Sequence, residues 1–276
     1  AELERTYKEW KTTIFADPDP RKQLSCAACH MIATTDVIAE GPGFTAPLRE
    51  FGRREHTFAA IDTAVTAWPD KALQQAAIDR DLAALLVARL CVLPVDGGRI
   101  DYRLDNVGAG HMFPSGATAD RRVWIELVAY GAGDAVLFSS GLVPAADPPL
   151  DPEDLGDPNL WRLDTPATDA AGARTEKFWA IRSIDHPGTL LGPAVTTDPN
   201  DPRFYHAVER SFPVPGLVPQ LQRVTARVLI RPLPMALLGE LFASGHLAVD
   251  VRDQVPTHVV AGATLEWRAG GRDCVQ

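Results

Sequence analysis

Basic residues are scarce and scattered in this sequence. Lys and Arg number 27 against 36 Asp and Glu, for a formal charge of −9, so no positive stripe exists that could track a phosphate backbone. Nucleic acid is therefore not expected as a partner. Long apolar runs are missing too: residues 81–93 are interrupted by Arg89, well short of the roughly 20 residues that a membrane span requires. No transmembrane helix and no signal peptide is read here. The start at Ala1 rather than Met is expected of a chain whose leader has been removed, or of a segment of a longer precursor. Gly108 and Gly110 lack the third glycine of a dinucleotide fingerprint and do not sit between a strand and a long helix. No Ser-His-Asp run, paired-carboxylate signature or internal repeat is present. What remains is a globular chain of 276 residues, 46% hydrophobic, long enough for one large domain or two smaller ones.

Cysteine is also sparse, with four residues, but two of them stand in the string Cys26-Ala27-Ala28-Cys29-His30. That is the attachment pattern of c-type haem. Two thiols three positions apart add to the two vinyl groups of the macrocycle, and the next imidazole becomes the proximal ligand of the iron. A redox dithiol or a zinc site is the competing reading. Both are weakened because no second Cys pair or close His pair lies nearby to complete four ligands. The string occurs once, so one covalent haem c is expected. Such attachment takes place outside the cytoplasm, which predicts a periplasmic or extracellular location where disulfides persist. Cys91 and Cys274 are then the remaining pair, expected to bridge, with two buried free thiols as the alternative.

Along the chain, residues 1–90 read as helical and irregular. Residues 3–15 form a charged, aromatic-bearing segment stopped by Pro18 and Pro20. Residues 32–51, with Gly41-Pro42-Gly43 and Pro47, read as a loop folded over one haem face. Residues 70–89 carry apolar side chains at three- and four-residue spacing behind Pro69 and read as the clearest helix. From Cys91 the pattern changes to short alternating strands. Residues 99–104 follow a turn at Asp96-Gly97-Gly98, and residues 122–130 and 135–139 flank a second turn. A long strand at 222–231, a short helix at 233–242 and a terminal strand at 257–268 complete the series. The fold class is therefore α+β: a small helical and irregular haem region, residues 1–90, followed by an antiparallel, Ig-like β-sandwich, residues 91–276. Residues 143–158, rich in proline and carboxylates, read as a solvated loop rather than a calcium site.

The sixth position of the iron has several candidates. His56 leads, because the glycine-containing loop after His30 is long enough to wrap the haem edge and return over the opposite face. His111 is the rival, since the glycines around it allow close backbone approach to a planar macrocycle; a purely structural role for it is an equal alternative. Met31 is adjacent to the proximal ligand and cannot reach the far side, and Met112 is a minor candidate. Trp10 and Tyr7 are expected to pack on the porphyrin. His186, His206, His246 and His258 have no i, i+4 pairing and read as surface or satisfied core residues.

These strings together resemble c-type cytochromes of the multihaem electron-transfer kind, in particular those with a β-sandwich after their haem region. The matching segments are Thr6-Tyr7-Lys8-Glu9-Trp10, Cys26 to Met31, Arg53-Arg54-Glu55-His56-Thr57-Phe58, residues 106–116 and Arg121-Arg122-Val123-Trp124. The resemblance implies His56 as sixth ligand, because a His after an Arg-rich turn often holds that place. It also implies electron transfer through a bis-His low-spin haem, within a larger extracytoplasmic assembly of redox proteins or cytochrome subunits, rather than enzymatic turnover. The alternative is a haem sensor or enzyme with an open or displaceable sixth site, where Arg54 or His111 would sit near a bound ligand.

Overall fold

Alternation of polar and apolar residues begins at Leu86 and dictates the architecture that follows. The computed structural model describes residues 2–31, 33–34, 39–46, 53–56, 58 and 60–276. Eight principal strands build two antiparallel sheets. They are β1 (Leu86–Leu93), β2 (Arg99–Asn106), β3 (Arg122–Tyr130), β4 (Val136–Ser140), β5 (Val208–Pro213), β6 (Arg223–Arg231), β7 (His258–Arg268) and β8 (Cys274–Val275). One sheet runs in the order β5-β2-β1-β8; the other runs β7-β6-β3-β4, with Trp161–Arg162 pairing on β3 as a fifth strand. The fold is mixed α+β and mostly β.

The two sheets share one apolar core. In β1, buried Leu86, Ala88 and Leu90 alternate with exposed Val87 and Arg89, as a strand with one face inward requires. Ile100, Tyr102 and Leu104 continue this face on β2, and Ile125, Leu127, Val224, Ala226 and Val228 meet it from the other sheet. Each such aliphatic side chain contributes about 1.5–3 kcal/mol by leaving water. The Tyr102 hydroxyl donates to the Ala263 carbonyl on β7, which fixes the sheets to each other with a satisfied buried polar group. The β1–β2 hairpin turns through Asp96 and Gly97, both at positive φ.

Helix α1 is Thr6–Trp10 and helix α2 is Cys26–His30. Helix α3, Lys71–Ala83, buries Ala77, Ile78 and Leu82. Its expected extent, to residue 89, is corrected: after Ala83 the side chains repeat every second residue, and β1 claims them for the sheet. The first strand therefore straddles the expected boundary at residues 90 and 91. Gly262 on β7 lies against the α3–β1 junction, where a Cβ would stand 2.6 Å from the Ala83 carbonyl oxygen and 2.7 Å from that of Leu86. Only glycine permits that approach.

Two further expectations change. Residues 143–158 are a solvated loop only in part: 144–148 are exposed, but the Asp151 side chain is buried and accepts from Arg231 Nη1 at 3.1 Å and from the backbone N–H of Met235 and Ala236 at the start of helix α4, Met235–Ala243. Its carboxylate thus neutralises a buried guanidinium and caps a helix at once. Asp157 likewise accepts from Ser140 and from the Gly141 N–H. The strand at His258–Arg268 is also not terminal, because Cys274–Val275 returns to pair with β1. The expected bridge is formed: Cys91 and Cys274 are register partners and joined by a disulfide, 183 residues apart in sequence. Half of the expected loop over residues 32–51 lies outside the described residues; within the rest, Ala33–Thr34 pairs with Arg53–Arg54 and Glu40–Gly41 with Phe44–Thr45. No helix among the described residues is long and apolar enough to cross a membrane.

Candidate functional site

A single helical turn carries the three residues of the attachment string. In α2, Cys26 and Cys29 are three positions apart and Cys26 and His30 four, so all three side chains share one face. Both thiols are free and exposed. Partial burial pushes the Cys29 thiol above its ordinary pKa, the negative charges of Asp81 and Cys26 push the same way, and Arg54 opposes them.

Both ends of the turn are tied down. Upstream, Trp10 Nε1 donates to the Leu24 carbonyl at 2.9 Å, fixing the approach to α2 against α1. Downstream, Arg54 Nη1 donates to the Met31 carbonyl at 3.2 Å and lies 3.5 Å from that of Ala28. A guanidinium there satisfies carbonyls that the helix leaves open and complements its dipole. Arg54 sits in the strand Arg53–Arg54, which pairs with Ala33–Thr34. Met31 is extended and half-buried. Tyr7 stacks on Trp10 with ring centres 5.8 Å apart and is otherwise exposed.

Opposite His30 lies His111. The two imidazole planes are 8° from parallel and their centres are 6.3 Å apart. Phe58 stacks on His30 at 4.8 Å. His56 is exposed. The sequence expectation of His56 thus meets a structure in which the imidazole facing that of His30 belongs to the rival, His111. That pairing joins residues from both sides of the expected boundary at 90 and 91.

The loop that carries His111 is held from three directions. Asn106, buried at the end of β2, donates through Nδ2 to the His111 carbonyl at 2.8 Å and to the Leu191 carbonyl at 3.1 Å, while its Oδ1 accepts from the Ala109 N–H. Phe113 and Leu191 exchange two backbone hydrogen bonds of 2.9 Å. From α1, the Glu9 carboxylate accepts from the Met112 N–H at 3.2 Å and the Ser115 hydroxyl at 2.7 Å. Gly110 has φ +69°, which lets the chain turn beside Phe15.

His111 is anchored through one ring nitrogen. Its Nδ1 is 2.7 Å from the Met112 carbonyl, which accepts only if Nδ1 carries the proton, so the lone pair is on Nε2. Burial pushes its pKa below the ordinary value, the positive charge of His30 adds to this, and the bond to Met112 and the charges of Glu9 and Glu4 oppose it. The imidazole is held neutral. A metal–imidazole bond of about 2 Å on each side, plus the reach across each ring, sums to about 6 Å between ring centres. The observed 6.3 Å spacing matches that sum, and the two thiols lie on the same helical face as His30.

Sequence reasoning missed Glu9 and His186. The imidazole Nε2 of His186 lies 3.2 Å from Glu9 Oε1. A glutamate in a charged helix and a lone histidine before a proline carry no signal of a shared buried site. Of the other histidines, His206 lies 3.0 Å from Asp105, His246 bonds Ser244, and His258 is buried between Gln75 and the Ile61 carbonyl.

No family model and no curated protein matches the chain. Among solved structures, the chain is similar to a penta-haem cytochrome c552 from Thermochromatium tepidum, at 17% identity and a TM-score of 0.56, over 96% of this chain and 51% of that one. The chain therefore spans about half the length of that structure and shares its fold over that part.

Proposed function

We propose that this chain carries one haem c, bound covalently through Cys26 and Cys29 and ligated by His30 and His111, and that it passes single electrons. The observation that carries this reading is the parallel facing of the His30 and His111 rings at 6.3 Å beside an attachment string on one helical turn. His111 takes the place that the sequence assigned first to His56. The haem, when bound, supplies a one-electron couple, and two imidazoles favour a lower potential than a His/Met pair.

The protein's own residues do the positioning. Cys26 and Cys29 hold the macrocycle, Arg54 and Trp10 fix the turn that presents His30, and Asn106 and Glu9 fix the loop that presents His111. Because His111 is anchored through Nδ1 and both faces of its loop are bonded, ligand exchange at that position is disfavoured. This supports an electron carrier over a sensor or enzyme. The two-sheet region is read as an Ig-like sandwich that docks the haem region to other redox proteins or cytochrome subunits, outside the cytoplasm. The likeness to half of a penta-haem cytochrome supports such an assembly. The disulfide and the covalent attachment chemistry both suit an oxidising compartment.

The test is intact mass after acid denaturation of protein matured in a host with haem-attachment machinery. A mass exceeding the polypeptide by one haem, with a low-spin optical spectrum, is the expected result. Haem that extracts freely into organic solvent would overturn it.

A further inference from the structure

We infer that buried Glu9 and partly buried His186 form a proton-binding pair that positions the His111 loop and couples proton uptake to reduction at this site. The inference rests on the proposed ligation by His111 and goes beyond it to the control of that site.

Glu9 is 8% exposed, on the last turn of α1. Its Oε2 accepts from the Met112 N–H and the Ser115 hydroxyl, and Ser115 Oγ is itself 2.7 Å from Thr6 Oγ1. Its Oε1 faces His186 Nε2 at 3.2 Å. Met112 is the link. Its carbonyl accepts from His111 Nδ1 and its N–H donates to Glu9, so a single residue separates the carboxylate from the imidazole it steadies. A charge held this close, away from bulk water, acts on the site with little screening.

The pair can hold one proton more or less. With His186 neutral, Nε2–H donates to Glu9 and the pair carries one negative charge. With a proton added at Nδ1, the pair is neutral. A small cavity lined by Glu2, Arg5, Glu9, Thr118 and His186 adjoins it and offers a route for exchange with solvent. The other charges facing the pair are already engaged or compensated: Glu2 contacts Lys8 at 2.5 Å and Arg5 at 3.4 Å, Glu4 accepts from the Thr6 N–H, and Asp185 is exposed. Of the groups around Glu9, His186 is the one whose ring nitrogen meets its carboxylate.

The balance is one electron from a one-electron donor protein to the site and one proton from solvent to His186. An added electron favours the protonated pair, and by linkage the added proton favours the electron by the same factor. Glu9 is a positioning residue here, and His186 sets its charge environment.

The test uses the holoprotein, first checked for covalent haem and a low-spin spectrum. Its midpoint potential is followed optically from pH 5 to 8.5, in the wild type and in His186→Gln. The wild-type potential is expected to fall as pH rises through the range where histidine titrates, and the profile of His186→Gln is expected to be flat there. On the wild type alone, NMR titration of the His186 ring in the oxidised and reduced protein is expected to show proton affinity about 5-fold or more higher after reduction. A pH dependence that persists in His186→Gln, or identical His186 titrations in the two redox states, would overturn this inference while leaving the ligation intact. Absence of the covalent low-spin haem would overturn both.

Discussion

Asn106 and His111 are joined by a 2.8 Å hydrogen bond from a buried carboxamide to a backbone carbonyl. The same carboxamide reaches Leu191 and the Ala109 N–H, so the last residue of β2 decides where the following loop can go. The end of β2, together with Glu9 on α1, sets the position of the His111 imidazole. The segment around His30 and His111 is thus completed by the β region, and its stability follows from that of the sheets.

The disulfide is the first place to test that dependence. Cys91 and Cys274 close a loop of 183 residues between β1 and β8, for which chain entropy gives about 5 kcal/mol at most. Cys91→Ser with Cys274→Ser should lower the unfolding free energy by about 2–5 kcal/mol in denaturant titrations. An unchanged midpoint would show that the pairing of β8 with β1 does not need the bond.

Asp151 tests the reassigned proline-rich segment. Arg231 is 6% exposed and Asp151 3%, and burial lowers the Arg231 pKa against the opposing charge of Asp151. Asp151→Asn keeps the shape but strands the guanidinium, and should cost about 3–5 kcal/mol. Asp147→Asn, at an exposed position in the same segment, should be neutral within about 0.5 kcal/mol. Equal effects would mean that the segment is as solvated as its composition suggests.

Asp120 gives a pH dependence with a definite sign. Burial raises its pKa from 3.8 to about 6, helped by Glu176 and opposed by Arg122 and Arg121, and its Oδ1 has no hydrogen-bond partner. Between pH 3.8 and about 6 the folded state therefore holds a proton that the unfolded state releases. Stability falls as pH rises through that window and is level above it, by on the order of 2–3 kcal/mol. Asp120→Asn should stabilise the protein at pH 8 and change little at pH 4. The same shift at both values would contradict the assignment.

Much of this was legible in the residues. The alternation in residues 99–104 specified a strand because a period of two is hard to mistake, whereas residues 122–130 are buried on both faces and were marked as a strand by the turn that follows them. The stretch at 84–89 was not, since its alanines and leucines satisfy both periods and only the neighbouring strand decides. The string at Cys26, Cys29 and His30 is local, so the placement of these three residues on one helical turn followed from their spacing. The partner of His30 did not, because chain length limits reach without fixing direction. What aims His111 is a set of long-range bonds from Asn106, Leu191 and Glu9, and sequence spacing contains none of them. Glu9 in particular reads as a solvated charge until the loop closes over it.

The most direct test of the account is the ferrous optical spectrum with and without carbon monoxide, in the wild type, His111→Ala and His56→Ala. The account predicts a low-spin wild type that does not bind carbon monoxide, a His111→Ala variant that becomes high-spin and binds it, and a His56→Ala variant that matches the wild type. Carbon monoxide binding by His56→Ala, with His111→Ala unaffected, would contradict the central claim and return the sixth position to His56.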